Sequence, residues 1–109
     1  MADFFQTVGG PGPWGLFDKD AKLHFELNFA PWVTSAGTGL TLTSATVLAS
    51  PLLTIDRQSI TPEGLVRFRV QLVDPEGPIP RAFVPFTIRL VLSDDQQDDR
   101  TFYLRVTDR

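Results

Sequence analysis

The stretch Leu65–Val73 reads Leu-Val-Arg-Phe-Arg-Val-Gln-Leu-Val. Val66, Phe68, Val70 and Leu72 alternate with Arg67, Arg69 and Gln71, the period of two that gives a strand one buried face and one wet face. Both ends are closed by the same chemistry, Thr61-Pro62-Glu63-Gly64 before the strand and Asp74-Pro75-Glu76-Gly77 after it. Proline presets φ at the second position of a β-turn and glycine relieves the fourth. A strand held between two reversals has antiparallel neighbours, so the chain reads as a β meander.

The same period recurs on either side. Leu23–Ala30 turns Leu23, Phe25, Leu27 and Phe29 inward, and Pro31-Trp32 ends it, with Trp32 as a large filler at the strand end. Leu40–Ala49 alternates weakly, with Leu42 and Leu48 on one face and Ala45 and Val47 on the other. Leu52–Ile60 is flanked by prolines and reads as an edge strand. Phe83–Leu92 and Arg100–Thr107 close the chain, with Tyr103 and Arg105 outward on the last strand. No helix of ordinary length is predicted. About six or seven strands favour an all-β fold, an immunoglobulin-like antiparallel β-sandwich over residues 17–109. Its expected core holds Phe25, Leu27, Phe68, Val70, Ile88, Leu90, Leu104 and Val106.

Residues 1–16 contain Gly9-Gly10-Pro11-Gly12-Pro13-Trp14-Gly15, a density of breakers that predicts an extended N-terminal arm and no regular element. The G-x-G-x-x-G spacing from Gly10 to Gly15 is not a dinucleotide loop. Pro11 and Pro13 remove N–H donors that phosphate would need, and no strand precedes. Phe4, Phe5, Trp14 and Phe17 have two readings: they fold back onto the domain's own core, or they anchor the arm on another subunit. The loop Asp74–Arg81 is stiffened by Pro75, Pro78 and Pro80, which lowers the entropy lost on binding and makes it a second contact candidate.

Net charge is −3, from thirteen acidic and ten basic residues, which disfavours general nucleic-acid binding. Arg67, Arg69, Arg89 and Arg105 fall on the outward phase of their strands. If those strands are neighbours, they form an arginine stripe on one outer face, suited to packing against copies of the chain. Acids gather at turns, Glu63 at one and Asp94, Asp95, Asp98 and Asp99 at another, and a meander places both turns at one end. The plainer alternative is a solvated surface with local ion pairs.

No cysteine is present, so disulfides and thiolate metal sites are excluded, in keeping with a reducing cytosol. No apolar run approaches the ~20 residues of a membrane span, and Met1–Phe5 lacks the flanks of a signal peptide. His24 stands alone on a wet strand face, and no Gly-x-Ser-x-Gly elbow exists. The acids of residues 94–99 are hard oxygen ligands of the kind Ca²⁺ takes, but the loop lacks an EF-hand's glycine and spacing, so a solvated turn is the favoured reading. No catalytic residue, cofactor or metal site is assigned.

Two segments resemble the phage fiber-tail adaptor family. Phe17-Asp18-Lys19-Asp20-Ala21-Lys22-Leu23-His24-Phe25-Glu26-Leu27-Asn28-Phe29-Ala30-Pro31-Trp32-Val33 is similar to that family's opening. Asp98-Asp99-Arg100-Thr101-Phe102-Tyr103-Leu104-Arg105-Val106-Thr107-Asp108-Arg109 is similar to its closing strand. The chain departs from the family at Ala21, where a proline is usual, in the loop Asp74–Arg81 and in the run Asp94–Asp99. The resemblance implies a small non-catalytic virion protein with an immunoglobulin-like sandwich. It would be made in the host cytoplasm and placed in the tail region between tail or portal components and fibers. It further implies several copies in a symmetric assembly, with Ala2–Gly15 reaching off the domain and Phe4, Phe5 and Trp14 docking on a neighbouring chain. The alternatives are a carbohydrate- or receptor-binding module, for which Trp14, Trp32 and Tyr103 are the aromatic candidates, and a head decoration protein.

Overall fold

The computed structural model describes Phe5 and residues 9–107. Its strands are β1 (Trp14–Asp18), β2 (Leu23–Asn28), β3 (Leu42–Ala49), β4 (Leu53–Ile60), β5 (Leu65–Leu72), β6 (Val84–Leu92) and β7 (Gln97–Thr107), with one short helix, α1 (Ala30–Ala36). They form a four-stranded sheet in the order β1-β7-β6-β3 and a three-stranded sheet in the order β2-β5-β4. The protein is an all-β sandwich of seven strands. The β2-β5-β4 order matches the B-E-D side of the immunoglobulin arrangement, and β3-β6-β7 matches its C-F-G side.

The alternating stretch becomes β5, antiparallel to β2 on one side and to β4 on the other. The first predicted turn closes the β4–β5 hairpin, with Gly64 N donating to Thr61 O at 3.1 Å. The second also forms, Gly77 N donating to Asp74 O at 3.2 Å, but it does not continue a meander. Both edges of β5 are already taken, so the loop of residues 73–83 carries the chain to β6 in the other sheet. Alternation reports which face a residue takes, and it is silent on which strand lies alongside.

The expectation of a wholly antiparallel sandwich behind an irregular arm through residue 16 is corrected by β1. This strand begins at Trp14 and runs parallel to β7, from Trp14↔Tyr103 to Asp18↔Thr107. An edge strand needs ladder partners on one side only, so a proline-rich leader can feed it. Pro13 has no N–H to offer, yet its carbonyl accepts from Tyr103 N at 2.9 Å.

Between the sheets the core is aromatic. Phe17, Phe25, Phe68 and Phe86 are at most 1% exposed. Phe68 meets Phe25 and Phe86 edge-on at 5.6 and 5.7 Å, the offset geometry that ring quadrupoles favour. Of the expected core, Phe25, Phe68, Val70, Ile88, Leu90, Leu104 and Val106 are buried, and Leu27 is partly so. In β3 the expected faces are corrected: an extra residue between Leu42 and Ser44 shifts the register. Leu42 is therefore buried while Leu48 is exposed, and Ala45 and Val47 pack on the core. Past β2, the Asn28 side chain accepts from Ala30 N at 2.9 Å, and Pro31 occupies the first turn of α1, where its missing donor costs nothing. Val33 is buried, and the half-buried Trp32 lies under the Arg100 guanidinium at 5.8 Å.

Candidate interaction surface

The proposed arginine stripe does not exist as one face. Arg67 and Arg69 lie on β5 in the three-stranded sheet, whereas Arg89 and Arg105 lie on β6 and β7 in the other. They therefore project from opposite sides of the sandwich. Three of them are held by carboxylates on neighbouring strands: Arg67 Nε donates to Glu26 at 2.6 Å, Arg69 grips Asp56 through two bonds, and Arg89 does the same to Asp99. These bonds with arginine are the first cause that holds the Asp56 and Asp99 carboxyls below their ordinary value of 3.8. The cross-strand pairs lock register on both outer faces. Arg105 differs, lying 5.7 Å over the ring of Phe83.

The acidic end is present in smaller form. Leu42 N donates to Pro62 O and Ser93 N to Thr41 O, so the Glu63 turn and the Asp94–Asp95 turn lie at the same end. Asp98 and Asp99 are not in the turn; they belong to β7, where they bind Arg100 and Arg89. A bond from the Gln96 side chain holds the Asp94 carboxyl below its ordinary value. Among the described residues, no three His, Cys, Asp or Glu side chains converge as metal ligands, because successive strand residues send Asp98 and Asp99 to opposite faces.

The described leader aromatics pack on their own chain, the first of their two readings, Phe5 at the edge of the core and Trp14 on the outer face of the four-stranded sheet. Phe5 packs against Phe102 at 4.9 Å and Phe25 at 5.7 Å, and Trp14 meets Phe83 edge-on at 5.3 Å. Gly10 and Gly12 let the backbone lie on the rings of Trp14 and Tyr103; a Cβ at Gly10 would stand 2.3 Å from Trp14. Phe4 lies outside the described residues. The outcome is an aromatic cluster of Trp14, Phe83 and Tyr103 on the outer face of the four-stranded sheet, with Arg105 beside it.

The proline loop is placed at the other end of the sandwich from the acids. Lys19 Nζ donates to Pro75 O at 3.5 Å. Pro78 and Pro80 line two concavities. One is a pit of about 160 Å³ whose walls include Pro51, Leu52 and Val73; Leu52 and Val73 are 48% and 59% exposed. The other is a shallow groove that also takes in Gly77, Ile79, Arg81, Arg105 and Val106. Sequence reasoning named Arg105 and the loop through Arg81 with Pro78 and Pro80, but missed Leu52 and Val73. These two stand just outside the strands, where periodicity carries no signal.

No helix among the described residues is long and apolar enough to cross a membrane. Compared with protein-family models the chain matches none, and no curated protein matches it.

Proposed function

We propose that this chain is a non-catalytic structural protein of a tailed phage particle, an adaptor that joins tail or portal machinery to the fibers in several symmetric copies. The observation that carries the reading is the resemblance of the segments 17–33 and 98–109 to the opening and closing strands of the fiber-tail adaptor family. Their placement is in keeping with it, since Phe17 and Val106 are register partners and both are buried. The charged side chains of the outer faces support the same view: Glu26, Asp56 and Asp99 are engaged by arginines across strands, a structural use of acidic groups. The loop with Pro75, Pro78 and Pro80 is the contact surface toward another virion protein, because its concavities and its preset backbone favour docking at low entropic cost.

The reading is tested by probing purified particles with an antibody against the chain. Label is expected at the tail or portal collar, in particles whose neighbouring genes encode portal, tail and fiber proteins. Particles without the protein would overturn it. A second reading, a carbohydrate-binding module, is favoured by the outer Trp14–Phe83–Tyr103 cluster. Binding of the isolated domain to a glycan array, lost in Trp14→Ala, would select it.

A further inference from the structure

Ion pairing is unevenly distributed over this chain. Among the described residues Lys19, Arg67, Arg69, Arg89 and Arg100 each lie within ion-pair distance of a carboxylate. Among the described residues Lys22, Arg57, Arg81 and Arg105 have no such partner, and of these Arg81 and Arg105 line the groove beside Pro78, Ile79 and Pro80. No acidic side chain lines that groove; Asp18, Asp74 and Glu76 belong to the same end of the sandwich but stand outside it. At the far end, Glu63, Asp94 and Asp95 have no cation within ion-pair distance among the described residues, and all three are exposed. Asp95 sits at the tip of the β6–β7 turn with φ +71°, so the two aspartates stand on a convex projection. The two unpaired sets are about 26 Å apart along β7 at ~3.3 Å per residue, too far to satisfy each other within one chain.

We propose that the Arg81–Arg105 groove receives the Asp94–Asp95 turn of a second copy of this chain. The proposal rests on the multi-copy part of the adaptor reading and names the surfaces that meet. Charge and shape both match: a concave groove lined by two arginines, whose guanidinium groups are planar forks suited to carboxylate, faces a convex pair of carboxylates. Because the two surfaces are unlike, the contact is head-to-tail, and repeated contacts close into a ring or extend a filament. Each exposed pair is weak alone, and copies held on a symmetric partner gain from high effective concentration.

The test is sedimentation velocity of the purified full chain over rising concentration, at about 20 mM and about 500 mM salt, which shortens the screening length several-fold. Association at low salt that weakens at least ~10-fold at high salt is expected for charge-driven contact. Arg81→Gln with Arg105→Gln, and separately Asp94→Asn with Asp95→Asn, should each be folded by circular dichroism and monomeric by sedimentation. Mixing those two variants should form a one-to-one pair and nothing larger, because each retains a different half of the contact. A wild-type chain that stays monomeric, association indifferent to salt and to these substitutions, or a mixture that stays monomeric would overturn the proposal. Detection of the wild-type chain in particles tests the adaptor reading independently, so the two fail separately.

Discussion

At the residue scale the account rests on a few side chains whose environments leave little freedom. Phe68 sits among Phe25 and Phe86 with 1% of its surface exposed. Phe68→Ala is expected to cost roughly 3–5 kcal/mol, read as a lowered midpoint in urea unfolding; a neutral effect would mean the ring is not in the core. Gly64 holds φ +122°, and a Cβ there would stand 2.7 Å from Ala30 N. Its carbonyl also accepts from Phe29 N at 2.8 Å. Gly64→Ala therefore strains both the turn and the start of α1, at a cost above about 1 kcal/mol, measurable in the same titration. The acids give a pH dependence. Asp56 and Asp99 are held below their ordinary 3.8 by arginine, so they stabilise the fold fully above that value. Their contribution is lost as pH falls through the lowered values. Urea midpoints are expected to drop below about pH 4 and to drop less steeply in Arg69→Gln.

At the element scale, each strand with strong alternation was readable, because burial on one face requires an apolar residue at every second position. Phe25, Phe68, Ile88 and Leu104 all lie inside as that pattern requires. The sandwich class follows from the count and spacing of such strands. Three features were not readable, for separate physical reasons. The extra residue in β3 inverts the face of everything after it, and Leu-Thr-Ser-Ala carries no mark of it. The parallel β1–β7 pair joins the two ends of the chain, and no local pattern encodes a partner so distant. The arginine stripe failed because outward phase does not reveal which sheet a strand joins. The leader was the largest misreading: glycine and proline argued against an element, yet Trp14–Asp18 became a strand and Phe5 entered the edge of the core. Deleting residues 2–15 is therefore expected to destabilise the domain by at least ~2 kcal/mol, the scale of losing one buried large side chain. Thermal unfolding by circular dichroism checks this; an unchanged midpoint would return the leader to the role of a free arm.

At the scale of the whole molecule, the chain is a two-sheet block with different chemistry at its two ends. One end carries α1 and the exposed acids Glu63, Asp94 and Asp95. The other carries the proline loop, the pit beside Leu52 and Val73, and the groove of Arg81 and Arg105. The side faces carry cross-strand ion pairs and, on the four-stranded sheet, the aromatic cluster, whereas the ends carry the concavities and the unpaired charges, which suits a part that spans from one component to another. That central claim is tested most directly by a cryo-electron-microscopy map of the particle that encodes this chain. The account predicts several symmetry-related copies of the seven-stranded sandwich between tail or portal and the fibers, with the loop of Pro75, Pro78 and Pro80 buried against a neighbouring protein. A map that resolves this junction with no density fitting the sandwich would contradict it.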